Sequence, residues 1–214
     1  MITPQDASAK AREICQLAPI VPVLVVEDAS IAQDLARALV AGGLPALEVT
    51  LRTDAALDVI AEMAKVEGGV VGAGTLLTPE DVTAAVAAGA KFGVSPGATD
   101  VLLDACEAAD LPLLPGAATA SEAMRLLERG YTVQKFFPAE ASGGAAALKA
   151  IGSPIPQIRF CPTGGVSPKN ANDYLSLSNT ICAGGSWICP KDLINARDWA
   201  AITELARAAS QLKV

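Results

Sequence analysis

Short hydrophobic runs alternate with alanine-rich amphipathic stretches along the chain from residue 20 onward. The runs are rich in β-branched residues and mostly uncharged, which is typical of buried parallel strands, whereas the stretches between them have helical length and spacing. This alternation predicts repeated βα units and a parallel sheet. Eight strands are expected, at Ile20–Val26, Ala46–Thr50, Val70–Gly74, Phe92–Ser95, Leu113–Pro115, Thr132–Phe137, Gln157–Cys161 and Thr180–Ala183.

Helix boundaries between these strands carry capping signals. Thr78-Pro79-Glu80-Asp81 and Ser167-Pro168 each place a hydroxyl before a proline at the first helical position, and Thr119-Ala120-Ser121-Glu122 has the spacing of a capping box. The segment from Thr3 to Leu17 precedes the first strand and is predicted to be an extra N-terminal helix.

Eight parallel strands favour closure into a (β/α)8 TIM barrel, which belongs to the α/β class. A length of 214 residues fits one such domain, so residues 1–214 are expected to form a single domain. An open doubly wound sheet is the alternative. It is disfavoured because no Gly-x-Gly-x-x-Gly follows the first strand.

Net charge and hydropathy restrict the partners. The formal net charge is −7 and no basic run is present, which argues against binding to nucleic acid or to an anionic membrane. The longest apolar stretch, from Leu17 to Val26, is broken by Pro19 and Pro22 and is shorter than the ~20 residues that a spanning helix needs. The first residues do not have the pattern of a secretory signal, so a cytoplasmic location is expected.

The chain has no histidine and five scattered cysteines. Histidine is the commonest general acid/base and the commonest ligand of catalytic metals, so acid/base chemistry is expected to fall to carboxylates, lysine, tyrosine or water. The cysteines are odd in number and never spaced as Cys-x-x-Cys, which favours reduced packing residues over a metal site.

Lys135 stands inside the apolar run Tyr131 to Pro138. Apolar surroundings disfavour an ammonium and lower the pKa of a lysine, and the resulting neutral amine can condense with a carbonyl to form a Schiff base. The alternative is that the stem lies along apolar surface while the charge reaches water.

The active site of a barrel is built at the C-terminal ends of its strands, and several of these ends are polar here. Glu48, Thr50 and Arg52 share one strand face, and Lys135 shares a face with Phe137. A buried carboxylate must be paired or used. Glu48 is therefore predicted to move protons for Lys135, and a simple ion pair with Arg52 or Lys135 is the alternative.

Two glycine-rich turns follow the predicted strands seven and eight, at Thr163-Gly164-Gly165 and Ala183-Gly184-Gly185-Ser186. Barrels often bind phosphate in these two loops on backbone N–H groups, and glycine permits the close approach of the anion. Together the turns favour a phosphate site.

Six motifs occur in order along the chain, and they are Glu48-Val49-Thr50-Leu51-Arg52-Thr53, Gly72-Ala73-Gly74-Thr75, Ser95-Pro96-Gly97, Lys135-Phe136-Phe137-Pro138-Ala139-Glu140, Pro162-Thr163-Gly164-Gly165 and Gly184-Gly185-Ser186-Trp187. Together they resemble the 2-keto-3-deoxy-6-phosphogluconate (KDPG) aldolases, class I enzymes of the Entner–Doudoroff pathway. The resemblance extends from the first predicted strand to the last.

The resemblance implies a role for each candidate residue. Lys135 would form the Schiff base with the C2 carbonyl of the substrate, and Glu48 would be the general acid/base, acting through a water. The resemblance also implies a substrate carboxylate held by Arg52 and Thr75, a pocket shaped by Pro96, Phe137 and Thr163, and a phosphate bound by Gly164, Gly165, Gly184, Gly185 and Ser186.

Cleavage would yield pyruvate and glyceraldehyde 3-phosphate without metal or organic cofactor, and the family resemblance further implies a homotrimer. Relatives act on 2-keto-4-hydroxyglutarate (KHG) or on the galactonate epimer, and Thr163 favours the gluconate form.

Two other interpretations of the residues remain. One is a phosphate-binding isomerase or epimerase in which Lys135 stays charged, and the other is a non-catalytic barrel that binds sugar phosphates or acts as an oligomeric scaffold.

Overall fold

The computed structural model describes residues 1–214 as an α/β fold in which all paired strands run parallel. The strands are β1 Ile20–Leu24, β2 Ala46–Thr50, β3 Val70–Gly74, β4 Gly93–Val94, β5 Leu113–Leu114, β6 Gly116–Ala117, β7 Val133–Phe136, β8 Arg159–Pro162 and β9 Ala183–Gly185. The helices are α1 Pro4–Cys15, α2 Ala32–Ala41, α3 Ala56–Met63, α4 Pro79–Ala87, α5 Asp100–Ala108, α6 Ala120–Arg129, α7 Gly144–Gly152, α8 Ala171–Leu175, α9 Lys191–Ala196 and α10 Trp199–Ser210, with a 3-10 turn at Ala29–Ile31.

The strands form a curled parallel sheet. Six of them pair in the order β5-β4-β3-β2-β1-β9, and the other three pair in the order β6-β7-β8. An isolated bridge joins Thr163, just after β8, to Gly184 of β9, and the chain runs from β5 of the larger sheet through Pro115 directly into β6 of the smaller one. Because of these contacts, both edges of the smaller sheet meet the larger one.

The fifth predicted strand is divided at Pro115. Leu113–Leu114 pairs with β4, whereas Gly116–Ala117 pairs with β7. Proline has no N–H to donate to a ladder, so the strand changes partner at this residue. The second and third strands match their predicted bounds, and the others differ at their ends.

The eighth predicted strand, Thr180–Ala183, is wrong by several residues, since β9 begins only at Ala183. Thr180 lies opposite Phe160, and Gly184 lies opposite Thr163, so this strand contains one residue more than its partner between the two bridges. Such an extra residue is a β-bulge. The bulge interrupts the ladder, and regular pairing resumes only where Ala183 meets β1.

Helix α1 covers the N-terminal end of the strands, near the start of β7. The Ser8 hydroxyl accepts the N–H groups of Thr132 and Val133 at 2.9 and 3.1 Å. At the end of the helix, Cys15 belongs to an apolar cluster that also contains Val21 and Phe92. The predicted N-terminal segment is therefore helical and packs against the sheet.

Two of the predicted capping signals are confirmed, because Thr78 and Thr119 each form a capping box. The start at Ser167-Pro168 is wrong, since α8 begins at Ala171. The Asn170 side-chain oxygen accepts the Ser167 N–H at 2.7 Å, which holds the intervening residues in a turn. None of the helices combines the length and the apolar composition that crossing a bilayer requires.

Candidate active site

Lys135 lies in the middle of β7, in register with Gly116 on one side and Cys161 on the other. Side chains alternate along a strand. The neighbouring Gln134 donates its side-chain amide to the Ala123 carbonyl of α6 at 3.0 Å, whereas Val133 belongs to the same interior cluster as Cys161. Lys135 therefore faces the inside of the curled sheet, and only 5% of its surface is exposed.

Glu48 of β2 meets Lys135 inside the sheet. Its Oε1 lies 3.3 Å from the Lys135 Nζ, and Glu48 is 3% exposed. Nζ also lies 5.0 Å from the centroid of the Phe137 ring, within range of a cation–π contact. Each buried charge thus has an opposite charge as its partner. The pairing places a potential nucleophile beside a potential proton carrier.

Two glycines leave the room that this arrangement needs. A Cβ on Gly74 of β3 would lie 2.4 Å from the Glu48 Oε1, and a Cβ on Gly116 would lie 2.2 Å from the Pro96 carbonyl oxygen. Both separations are too short for real side-chain atoms. Glycine at these positions therefore allows the Glu48 carboxylate and the Pro96 backbone to lie close to neighbouring strands.

Arg52 and Thr75 follow the ends of β2 and β3. Arg52 is exposed, and its Nε donates to the Thr50 hydroxyl at 3.2 Å. Thr50 in turn donates to the Leu24 carbonyl at 2.9 Å, which fixes the acceptor. Thr75 is half-buried and has a φ of 64°, a left-handed conformation that threonine rarely adopts. The guanidinium is thus exposed and anchored to Thr50, which lies two residues beyond Glu48 on β2.

Thr163 lies directly after β8 and is buried. Its N–H donates to the Phe136 carbonyl at 2.9 Å, and its hydroxyl lies 3.8 Å from the Cys161 Sγ. A hydrogen bond with Cys182 lowers the pKa of the Cys161 thiol against the opposing effect of burial, and the Lys135 ammonium lowers it further. Sequence reasoning treated Cys161 as a packing residue. Its position two residues before Thr163 on the same strand face was the available signal.

The first glycine turn, at Gly164 and Gly165, leaves backbone N–H groups without a partner. Gly164 and Gly165 have φ values of 98° and 81°, which glycine adopts readily. Their N–H groups, like that of the exposed Ser186, have no acceptor within the protein. Free N–H groups in a turn can bind an anion such as phosphate.

The second glycine pair differs from the prediction, because Gly184 and Gly185 lie inside β9 and not in a turn. They pair with Val21 and Pro22 of β1. A Cβ on Gly184 would lie 2.3 Å from the Thr163 hydroxyl oxygen, so its glycine is needed for close strand packing. Of that predicted motif, only Ser186 lies beyond the strand end.

The candidate residues follow a gradient of burial. Lys135, Glu48 and Thr163 are buried, Thr75, Pro96 and Phe137 are half-buried, and Arg52, Gly165 and Ser186 are exposed. A ketone that reached the buried amine would therefore leave its charged ends nearer the solvent. The arrangement can support imine formation and proton transfer at its base and anion binding at its rim.

Comparison with known proteins agrees with this chemistry. The family model described as "KDPG and KHG aldolase" matches residues 11–205. The 2-dehydro-3-deoxy-phosphogluconate aldolase of Pseudoalteromonas atlantica is 53% identical over 200 residues, which cover 93% of each chain. The crystal structure of the KDPG aldolase of Zymomonas mobilis with 3-phosphoglycerate is similar at a TM-score of 0.92 and 47% identity, covering 96% of this chain and 97% of that one.

A third similar protein is the KDPG aldolase of Legionella pneumophila, whose crystal structure has pyruvate captured at low pH as a covalent carbinolamine intermediate. It matches with a TM-score of 0.90 and 45% identity, covering 94% of this chain and 98% of that one. A family model that spans most of the chain, and relatives this similar over almost their whole length, lead to one conclusion. The chain belongs to the KDPG and KHG aldolase family.

Proposed function

We propose that this aldolase cleaves 2-keto-3-deoxy-6-phosphogluconate into pyruvate and glyceraldehyde 3-phosphate through a Schiff base on Lys135. The observation that carries the proposal is the buried contact of 3.3 Å between the Lys135 Nζ and the Glu48 carboxylate. An amine held beside a proton carrier, inside the strand ends, is what a class I aldolase requires. The carbinolamine captured in the Legionella relative supports the same covalent chemistry here.

The reaction follows from the properties of the imine. The neutral Lys135 amine adds to the C2 ketone, and the resulting carbinolamine loses water to give an iminium ion. Removal of the C4 hydroxyl proton then breaks the C3–C4 bond, and its electron pair moves into the iminium to give an enamine. Protonation at C3 and hydrolysis release pyruvate. Glu48, 3.3 Å from Nζ, is the group in position to move these protons through a water.

The iminium is itself the electron sink, so the proposed reaction uses no metal and no organic cofactor.

A thiol of lowered pKa, Cys161, also faces the Lys135 side chain. Phe137 lies against the same amine and forms one wall of the pocket. Pro96 and Thr163 are assigned the remaining walls.

The charged ends of the substrate are assigned to the rim. Arg52 offers a planar guanidinium that suits a carboxylate, and Thr75 stands at the end of the next strand. The phosphate is assigned to Gly164, Gly165 and Ser186, because their N–H groups are free. Gly184 and Gly185 contribute to that site by allowing β9 to approach Thr163.

The architecture proposed for this site is a closed (β/α)8 barrel in a single domain of residues 1–214, preceded by the extra helix α1. Three features support closure. Thr163, just after β8, is bridged to Gly184 of β9, the β5 and β6 strands follow each other directly through Pro115, and Cys15 of α1 belongs to the interior cluster. A homotrimer is proposed from the family resemblance, and sedimentation velocity would measure it.

Cleavage of 2-keto-4-hydroxyglutarate is the second proposed activity, because the matching family model is described by both substrates. Its product would be pyruvate again, formed at the same Lys135. The galactonate epimer is the alternative substrate, and a pyruvate-release assay with the two epimeric phosphorylated keto-acids would rank them.

Borohydride trapping tests the proposal. Incubation with pyruvate and borohydride should attach a stable adduct to the peptide that contains Lys135, with loss of activity. Lys135→Met should abolish both labelling and cleavage, whereas Lys91→Met, which changes an exposed lysine, should alter neither. A protein that stays unmodified and fully active after this treatment would exclude the imine and favour an isomerase or epimerase that works by proton abstraction alone.

A further inference from the structure

A buried tyrosine and a carboxylate lie beside the Gly164-Gly165 turn and have no part in the proposed bond cleavage. The Tyr174 hydroxyl of α8 donates a hydrogen bond to the Oε1 of Glu140, which follows β7. Tyr174 is 0% exposed. Burial raises the pKa of the Tyr174 hydroxyl, and the hydrogen bond to Glu140 raises it further. The raised pKa therefore favours the protonated hydroxyl that donates to Glu140.

Glu140 is attached to the turn by its backbone and by its stem. Its N–H donates to the Gly164 carbonyl at 3.0 Å, and the preceding N–H of Ala139 donates to the Thr163 carbonyl at 2.8 Å. A Cβ on Gly165 would lie 2.5 Å from the Glu140 Cγ. The methylene groups of Glu140 thus pack directly against the α-carbon of Gly165.

The turn needs such support because it consists of two glycines. Glycine loses more conformational freedom on folding than any other residue, and both glycines here are left-handed. The Asn170 side chain holds the Gly165 carbonyl at 3.1 Å on one side, and Glu140 holds Gly164 on the other. Without these contacts the free N–H groups would have no fixed direction in which to meet an anion.

A carboxylate near a phosphate would repel it unless its charge were engaged elsewhere. The Glu140 Oε1 accepts the Tyr174 hydroxyl, and it lies 3.6 Å from the place where Gly144 would carry a Cβ. Gly144 is the first residue of α7, and the N-terminus of a helix favours negative charge. The Tyr174 hydroxyl and the N-terminus of α7 together stabilise the negative charge of the Glu140 carboxylate on the side that faces α7.

We propose that Glu140, held by Tyr174, is a positioning residue for the substrate phosphate, because it sets the conformation in which the Gly164-Gly165 turn presents its N–H groups. The inference rests on the proposed function and assigns the pair to recognition of phosphorylated substrates. Glu140 bonds to the turn and to Tyr174, whereas the Lys135 amine bonds to Glu48. The pair therefore acts on phosphate binding and not on bond cleavage.

Tyr174→Phe removes only the hydroxyl and is the main test. The KM for 2-keto-3-deoxy-6-phosphogluconate should rise about tenfold, as expected when roughly one supporting hydrogen bond is lost, while kcat stays within about twofold. The KM for unphosphorylated 2-keto-4-hydroxyglutarate should not change. Glu140→Gln keeps the stem and an acceptor oxygen and should preserve the wild-type KM, whereas Glu140→Ala should resemble Tyr174→Phe.

Tyr131→Phe is the matched control. Tyr131 is also 0% exposed and donates to a glutamate, Glu107, at 3.0 Å, but on α5 and away from the turn. Both tyrosine variants should lose stability, and only Tyr174→Phe should raise the KM for the phosphorylated substrate. An equal rise in KM for both substrates, or the same rise in Tyr131→Phe, would overturn the inference.

A second measurement is independent of the aldolase assay. Inorganic phosphate should raise the Tm of the wild-type protein, and Tyr174→Phe should lose most of this increase, even if the protein proved not to cleave the proposed substrate. An equal increase in both proteins, or no increase in the wild type, would refute the assignment of the pair to phosphate binding. Failure of Lys135 labelling by borohydride would instead contradict the proposed function alone.

Discussion

The carboxylate of Glu48 fills the space beside the α-carbon of Gly74, where any larger residue would begin its side chain. A Cβ there would lie 2.4 Å from the Glu48 Oε1. The position of the Glu48 carboxylate, the proposed acid/base, is thus determined by a missing side chain on the neighbouring strand as well as by the Lys135 ammonium.

Gly74→Ala should therefore displace the Glu48 carboxylate while the fold persists, because the displaced atoms belong to the end of a flexible side chain. Misplacing a catalytic group by about 1 Å can lower turnover about 100-fold, and a fall of that order in kcat is expected. Gly97→Ala is the matched control, since a Cβ at Gly97 has no neighbour within 4 Å. Equal kcat values for the two variants would contradict the proposed role of this contact.

Arg52→Lys should raise the KM for the keto-acid by about tenfold, because an ammonium lacks the planar fork that matches a carboxylate. A lysine also has no Nε–H group with which to repeat the hydrogen bond to the Thr50 hydroxyl. Steady-state kinetics would measure the change. Arg37→Lys alters an exposed arginine that pairs with Asp34 of its own helix and should leave the KM unchanged. An unchanged KM in Arg52→Lys would exclude Arg52 as the carboxylate ligand.

Glu122→Gln should lower stability in a pH-dependent manner. Hydrogen bonds from the Ala118 and Thr119 N–H groups lower the pKa of Glu122 below its usual value of 4.5. A lowered carboxyl pKa contributes stability above the unfolded-state pKa, and this contribution is lost as the pH falls through the folded-state pKa. The variant should be about 1 kcal/mol less stable at pH 7, the usual size of a helix cap.

Chemical denaturation at several pH values would measure this difference in stability. The difference should vanish as the pH falls below the folded-state pKa of Glu122. Glu128→Gln changes an exposed carboxylate on the same helix and serves as the control. A difference that persisted unchanged in acid would show that the ionised cap is not its cause.

Arg129→Met should lower the free energy of unfolding by about 2 kcal/mol, because it leaves the half-buried Glu107 carboxylate without its bidentate partner. Arg129 donates to both oxygens of Glu107 at 2.9 Å. Arg125→Met, which removes a more exposed arginine that lies 3.9 Å from Asp100, should cost much less. Urea denaturation would compare the free energies of unfolding of the two variants. Similar losses in both would show that the bidentate pair with Glu107 is not the source of the stabilisation.

The buried charges were the part of the site most open to sequence reasoning. Lys135 and Glu48 interrupt apolar strands, and a charge in such a place must be paired or used. Glu140 gave no comparable signal, because its significance depends on contacts with Gly165 and Tyr174 that are distant along the chain. By residue type alone, Cys161 also gave no signal, because a free cysteine in an apolar strand cannot be distinguished from an ordinary core residue.

The strands show the same division. β2 and β3 were predicted at their observed bounds, and a turn-forming residue precedes each strand, Pro45 before β2 and Gly69 before β3. The bulge before β9 could not be predicted, since Ile181 and Cys182 are both apolar and both join the interior cluster. Strict alternation fails there, and without it composition does not reveal which residue is the additional one.

Glu48 and Lys135 are separated by 87 residues along the chain. Neither the part of the polypeptide that ends with β3 nor the part that begins with β7 contains both of these proposed catalytic groups. Chemical competence is therefore acquired only when distant segments dock, and recovery of turnover during refolding reports on the completed tertiary structure. The enzyme's own reaction is thus an assay for its correctly assembled state.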